Sequence, residues 1–231
     1  MSTYGTIRPE IERITGNRVD SDSQAVVKAM TTHALRILAR GREWPELQTS
    51  VTLTTVAGTS SYSYTTIGFT RLHKIYNVTL LASDEKRPIA YYTPARWDKE
   101  ILPLTSASAT GRPTVYTDWG RSIEFFRTPD SAYRIKFRYY QYPQPIVDDT
   151  TNIDLEDVDD IVVFLAAGLS FAAWEQFQEA AQWLRLSEML ARARDIDITS
   201  VFNFQAADVR KMAESVGTSV YWKDPFERRN P

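Results

Sequence analysis

The chain has 231 residues, of which 43% are hydrophobic and 24% charged, and its formal net charge is −2. This composition is typical of a soluble globular protein, and the charge gives no overall attraction to nucleic acid or to an anionic membrane. With no cysteine and two histidines, His33 and His73, the chain is not expected to form disulfides or histidine-rich metal sites, and carboxylates remain the only option for binding a metal ion. We expect no cofactor.

The N-terminal sequence lacks the apolar core of a signal peptide. The longest uncharged apolar run, from Ile161 to Trp174, is shorter than the ~20 residues needed to cross a bilayer. We therefore predict a buried helix there, no membrane contact, and folding in the cytoplasm.

The first zone, residues 1–48, has helical periodicity. Apolar residues recur at helical spacing from Val26 to Trp44, with His33 close to this stripe, and Ser21 with Gln24 fits a capping box. A shorter helix is predicted from Arg8 to Ile14, with Pro9 in its first turn.

The second zone, residues 49–145, is rich in threonine, tyrosine and valine and is interrupted by glycine and proline, which predicts short strands. Two strands are predicted on either side of Gly58, and the stretches LHKIYNVTLL and RPIAYYT are candidates for pairing. Ile135, Phe137 and Tyr139 alternate with Lys136, Arg138 and Tyr140, which favours an antiparallel sheet with one face in water. PARWDKEIL is read as a short helix or an ordered loop.

The third zone, residues 146–200, returns to helix. The run IVVFLAAGLSFAAWEQF is apolar on nearly every side and contains small residues, so it predicts a helix that is buried among neighbours. A second helix is predicted from Glu179 to Arg194, with a break near Gln176 and an ion pair between Glu188 and Arg192. The final zone, residues 201–231, is interpreted as an arm with one short helix around residues 206–216.

The predicted fold class is therefore α+β: a helical bundle with an inserted antiparallel β-domain and an extended C-terminal arm. The two helical zones are expected to pack together, because neither has enough surface to cover its apolar stripe alone.

Candidate chemistry is sparse. The acids from Asp148 to Asp160 lack the glycine of a calcium loop, so capping and solvation explain them better. Glu43 beside Trp44, or Glu175 beside Trp174, would serve glycoside hydrolysis only if burial raised the pKa and a second acid lay nearby. His33 is expected to be buried and hydrogen-bonded, and His73 to lie on the surface.

The stretch from Gly111 to Pro145 mixes cations and aromatic residues. It admits three interpretations: a nucleic-acid platform, a sheet face in water, or a protein interface, and the last is favoured. The residues concerned are Tyr116, Trp119, Arg121, Phe125, Arg127, Tyr133, Arg134, Lys136, Arg138 and Tyr139.

Four stretches in this order complete the pattern: ALRILARGREW, VAGTSSYSY, GRPTVYTDWGRSIEFFRTPDSAYRIKFRYYQYPQPI, and LEDVDDIVVFLAAGLSFAAWEQFQEAAQWLRLSEMLARAR. The order resembles the head-to-tail adaptors of tailed bacteriophages, especially short-tailed ones, over about Val26 to Arg194. GRP before a strand, TPD before another and the YPQP exit are its most specific parts.

The resemblance implies a structural virion protein, not an enzyme, that forms a ring of about twelve copies between portal and tail and is assembled in the host cytoplasm. It implies contacts with the portal protein, the tail nozzle or tail tube protein, sister copies, and genomic DNA that passes through the channel without sequence specificity. The arm would dock on the portal through Tyr221, Trp222, Phe226, Arg228 and Arg229. The β-domain would make tail or lateral contacts through Trp119, Arg121, Arg127, Tyr133 and Arg138.

Two alternatives from other classes remain open at this point. One is a virion enzyme that degrades peptidoglycan. The other is a receptor-binding or carbohydrate-binding β-module of the tail, which the aromatic sheet would suit.

Overall fold

A computed structural model describes residues 2–18, 20–81, 86–104, 109–196 and 198. The predicted C-terminal arm and its short helix lie outside these residues. The α+β class is confirmed. The chain divides into two compact units: Leu47–Tyr142 forms one, here called the β-unit, and the segments on either side of it form the other, here called the helical unit.

Within the described residues the elements follow the predicted order of helices, strands and helices. The α-helices are α1 (Tyr4–Ile14), α2 (Ser21–Gly41), α3 (Tyr64–Ile67), α4 (Pro94–Glu100), α5 (Asp159–Ala173) and α6 (Phe177–Ala193). The strands are β1 (Gln48–Thr54), β2 (Ser61–Ser63), β3 (Leu72–Leu81), β4 (Lys86–Pro88), β5 (Ala90–Tyr91), β6 (Val115–Trp119), β7 (Ser122–Phe126) and β8 (Arg134–Gln141).

Helix α1 begins four residues before the predicted start at Arg8, so the placement of Pro9 in a first turn was wrong. Thr3 caps this helix through a capping box with Thr6. The backbone N–H of Gly5 donates to the carbonyl of Asp149 at 2.9 Å, and a Cβ on Gly5 would lie 2.9 Å from that oxygen. The early turn therefore depends on a long-range contact that local periodicity does not reveal.

Helix α2 buries a wide apolar stripe, including Leu35 and Leu38. Its cap is Asp20, whose Oδ1 accepts from the backbone N–H of Ser23 at 2.8 Å, and not the predicted Ser21 with Gln24. Past the end of the helix, the buried Trp44 indole donates to the Leu38 carbonyl at 2.8 Å.

Helices α5 and α6 form a closely packed pair in the helical unit. Twelve of the fifteen residues of α5 are buried, as its all-round apolar sequence predicts. A Cβ on Gly168 would lie 2.9 Å from the side chain of Leu184 on α6, so glycine sets the distance between the helices. The break falls at Gln176, as predicted, and Arg192 bonds Glu188.

The β-unit contains two four-stranded sheets. Sheet A has the order β1-β8-β3-β4 with every pair antiparallel, while sheet B has the order β2-β7-β6-β5. The predicted strands around Gly58 exist, but β1 and β2 belong to different sheets. Strand β5 runs parallel to β6, which departs from the purely antiparallel prediction.

The core of the β-unit lies between the two sheets. Sheet A supplies Val78, Ile135 and Phe137, sheet B supplies Ile123 and Phe125, and all five are buried in one cluster. The predicted alternation on β8 is confirmed as far as Tyr139, because Ile135, Phe137 and Tyr139 are buried while Arg134 and Arg138 are exposed. It was wrong at Tyr140, which is buried although the prediction placed it on the face in water.

Candidate functional site

The predicted interface residues Trp119 and Arg121 lie at the β6–β7 hairpin of sheet B. The loop residues Gly120 and Arg121 have φ of 57° and 62°, the left-handed conformation that a tight hairpin turn requires. The Arg121 carbonyl accepts from the backbone N–H of Tyr64 at 3.0 Å, which holds the hairpin in place. Trp119 is 67% exposed, so the turn presents an aromatic ring and a cation to solvent.

Arg127 and Tyr133 border the next loop. Arg127 directly follows β7 in a left-handed conformation, and its side chain is exposed. Tyr133 is half-buried and donates to Oδ1 of Asp130 at 2.5 Å, a hydrogen bond that lowers the pKa of this carboxyl. The Tyr133 carbonyl accepts from the backbone N–H of Thr55, and the Tyr133 N–H donates to the Thr55 hydroxyl, both at 2.8 Å. Tyr133 therefore fixes the loop as well as facing solvent.

Arg138 belongs to the other sheet. It lies on the outer face of sheet A beside a groove of about 390 Å³ that Gln48, Ser50, Tyr76 and Tyr140 also line. The five predicted contact residues of the β-unit therefore do not form one site. They divide between the hairpin end of sheet B, the adjoining loop and the outer face of sheet A.

The structure also corrects the idea of a mixed aromatic and cationic platform. Tyr116, Phe125 and Tyr139 are buried in the β-unit, whereas Arg134 and Arg138 point away from its core. The three buried rings therefore do not form a stacking surface for bases together with these two cations.

A second depression in the β-unit was not anticipated. It has a volume of about 320 Å³ and is lined by Tyr64, Leu72, His73, Lys74, Ile75, Tyr91, Tyr116 and Asp118. The Tyr64 hydroxyl donates to Oδ1 of Asp118 at 2.5 Å, and burial together with this bond raises the pKa of Tyr64. Burial raises the pKa of Tyr116 to about 12, so both phenols are neutral hydrogen-bonding groups near neutral pH.

The acids at the start of α5 surround a cavity of about 710 Å³ in the helical unit. Asp159 accepts from the Ser2 hydroxyl at 2.6 Å, and Asp160 accepts two bonds from Arg194 at 2.6 and 2.9 Å. The Arg194 guanidinium lowers the pKa of Asp160. Glu156 and Asp157 are exposed at its rim.

Within the described part of the chain, no group of three or more histidine, cysteine or acidic side chains is placed to hold a metal ion. Asp160 Oδ1 accepts from the N–H of Ile161 at 2.8 Å, and Asp148 accepts from Thr150 and Thr151. Hydrogen bonding at a helix start and in a turn is the role that the sequence favoured for these acids.

The other candidate groups are exposed or half-buried. Glu43 and Glu175 are exposed, so the burial that a catalytic carboxyl would need is missing at both positions. His33 is half-buried, and burial beside Arg36 and Arg40 lowers its pKa. His73 is also half-buried, where it packs against Tyr142 with ring centroids 4.6 Å apart. No described helix has both the length and the apolar character that crossing a membrane requires.

Comparison with known proteins identifies a family for this chain. No curated protein gives a significant match to the sequence. The sequence profile of the family described as SU10 adaptor protein matches residues 2–211, which covers nearly the whole chain. This match confirms the resemblance to phage head-to-tail adaptors, and the chain belongs to the SU10 adaptor protein family.

Proposed function

We propose that this protein forms a ring, of twelve copies as the resemblance implies, that joins the portal to the tail in the virion neck. The match to the adaptor family over residues 2–211 is the observation that carries this proposal. The ring would line the channel through which the genome leaves, and it would contact DNA without reading its sequence.

The outer face of α6 supports lateral packing between copies. Met189 is 68% exposed on the side of the helix opposite the packed residues Ala180, Ser187 and Ala191, and Phe177 in the first turn is 52% exposed. Burying large apolar side chains against a neighbour releases about 25 cal/mol for each Å² of apolar surface. We propose that this face of α6 contributes to the contact between adjacent subunits.

The C-terminal arm is proposed to dock on the portal through Tyr221, Trp222, Phe226, Arg228 and Arg229. These five residues follow the segment matched by the family profile and lie outside the described residues. Aromatic and arginine side chains are the usual anchors of protein interfaces, and a segment with few apolar neighbours gains burial when a partner supplies the surface.

Truncation after Gly217 tests the arm. We expect the shortened chain to keep its circular dichroism spectrum and unfolding midpoint but to lose attachment to purified portal in co-sedimentation. A full-length Trp222→Ala/Phe226→Ala variant should show the same loss, while Lys99→Ala in the β-unit should attach normally. Normal attachment of both arm variants would refute the docking role.

The β-unit is proposed to meet the tail component through Trp119, Arg121, Arg127 and Tyr133, with Arg138 on a separate face. The exposed Trp119 ring beside the rigid hairpin turn is the best candidate for a buried anchor. Replacing Trp119 with Ala should weaken capture of the tail nozzle or tail tube protein by at least about tenfold without affecting attachment to the portal.

The role proposed is structural, without catalysis. Incubation with purified peptidoglycan should release no soluble fragments, even at high protein concentration. Release that disappears on Glu43→Gln or Glu175→Gln substitution would instead support a cell-wall-degrading enzyme.

A further inference from the structure

The outer face of sheet A carries a row of positive charge. Arg134, Lys136 and Arg138 alternate along the central strand β8 and project from the side opposite the core. Strands β1, β3, β4 and β8 contain no aspartate or glutamate. Among the described residues, none of the three cations has an ion pair or a side-chain hydrogen bond.

The neighbours of this row are neutral polar groups on both sides. In the register of the sheet, Lys136 lies between Thr52 on β1 and Thr79 on β3, and Arg138 lies between Ser50 and Asn77. Alternate residues on a strand are about 7 Å apart, so the three like charges repel one another weakly. A partner that brings carboxylates would offset this repulsion and accept hydrogen bonds from the aligned arginine and lysine side chains.

The face has a shape and composition suited to a protein partner. Beside Arg138 is the groove of about 390 Å³, and Tyr76 at its edge is 62% exposed. The register of β3 against β8 shifts between Ile75 and Asn77, and the Tyr76 ring there meets Tyr140 edge-on with ring centroids 6.1 Å apart. Tyrosine and arginine are both enriched in protein interfaces. Cations that only face water do not require a groove beside them.

The same chain supplies the opposite charge. Leu47–Tyr142 contains twelve Lys and Arg against seven Asp and Glu, whereas residues 143–198 contain three Arg against twelve Asp and Glu. Two exposed acids of that segment, Glu156 and Asp157, lie at the rim of the cavity of about 710 Å³. Each copy therefore carries a basic face and an acidic surface on different units.

We propose that the outer face of sheet A binds the acidic surface around Glu156 and Asp157 of a second copy of this chain. The two surfaces differ, so the contact is heterologous, and repetition of one heterologous contact produces a ring when the rotation closes. This inference rests on the proposed ring and names the charge contact that would set its neighbours. A DNA backbone is the competing anion, but the chain as a whole has a net charge of −2.

Charge reversal with rescue tests the contact. We expect Lys136→Glu/Arg138→Glu to lose at least about tenfold in ring formation on purified portal, measured as copies bound by native mass spectrometry, because like charges across an interface are strongly unfavourable. The added pair Glu156→Lys/Asp157→Lys should restore the ring. The matched control Lys99→Glu/Arg112→Glu changes the same charge on exposed residues outside this face and should assemble normally. Circular dichroism verifies that every variant is folded.

A second measurement does not depend on the portal. The chain has no cysteine, so Lys136→Cys and Asp157→Cys variants can be mixed free in solution at high concentration and treated with a short bis-maleimide linker. We expect a mixed dimer that weakens with salt, and no product when Lys99→Cys replaces Lys136→Cys. If the wild-type chain does not assemble on the portal, the proposed function is wrong, and the cross-link then tests the contact between the two surfaces by itself.

Three results would overturn the contact. Normal rings from Lys136→Glu/Arg138→Glu would show that the basic face is not needed. Equal cross-linking from the Lys99→Cys control would show that the mixed dimer is non-specific. Loss of rings without rescue, together with salt-dependent binding of a random 30-base-pair duplex that requires Lys136 and Arg138, would assign the face to DNA.

Discussion

The helical unit packs small residues between two helices, whereas the β-unit places aromatic residues both in its core and on its surface. In the helical unit, Gly168 and its small neighbours bring α5 and α6 together, and most of α5 is buried within one chain. In the β-unit, one stretch from Gly111 to Pro145 supplies both buried rings such as Phe137 and an exposed one at Trp119. The comparison teaches that apolar content alone does not separate core from exposed surface, because Trp119 is exposed at the end of its strand whereas Phe137 is buried in the middle of β8.

The largest expected effect sharpens this contrast within the β-unit. Phe137→Ala should lower the free energy of unfolding by about 3–5 kcal/mol, because the ring is fully buried between the two sheets and its removal leaves a cavity. Trp119→Ala, the matched change at an exposed ring, should alter it by less than about 0.5 kcal/mol. Urea denaturation followed by circular dichroism measures both, and equal losses would contradict the assignment of core and surface.

The next effect concerns the helical unit. Gly168→Val should destabilise the protein by about 1–3 kcal/mol, since even a Cβ would lie 2.9 Å from Leu184 and the helices would have to separate. The control is Ala181→Val on the exposed side of α6, which changes a similar volume without that contact. A stability of Gly168→Val equal to the control would mean that α5 and α6 are not closely packed at this point.

The two units also differ in how far their sequence determines them. The break at Gln176 and the burial of α5 follow from local periodicity and composition, so they could be predicted. The separation of β1 and β2 into different sheets could not, because strand partners are chosen by contacts far apart in the chain. The depression that joins Tyr64 to Asp118 was missed for the same reason: the two residues are 54 positions apart and meet only when β2, β7 and β6 pair.

The cap of α2 provides a smaller, local test of the same limit. The sequence DSDS offers several side chains able to cap, and only backbone geometry selects Asp20. Asp20→Ala should cost about 1 kcal/mol, the usual loss when an N-cap acceptor is removed, while Ser21→Ala should cost much less. Thermal unfolding of the two variants distinguishes them. A larger loss for Ser21→Ala would restore the capping box predicted from sequence.

The smallest expected effect depends on pH and concerns the acids of the helical unit. Arg194 lowers the pKa of Asp160 in the folded state, so the pair stabilises the protein above the ordinary carboxyl pKa of about 4. This contribution is lost as the pH falls through the lowered folded value. Both side chains are more than a third exposed, which limits the expected gain to less than about 1 kcal/mol.

Asp160→Asn should therefore be less stable than wild type at pH 7 and equally stable at pH 2, in urea titrations at both values. The control is Glu156→Gln, which changes an exposed acid at the same cavity that forms no ion pair within the described residues. Its stability relative to wild type should not change between pH 7 and pH 2. A difference for Asp160→Asn that persists unchanged at pH 2 would mean that packing of the side chain, and not its charge, holds α5 to the residues after α6. Side-chain packing would then hold the acidic surface of the helical unit in place, and its remaining negative charge would still attract a second copy of the chain.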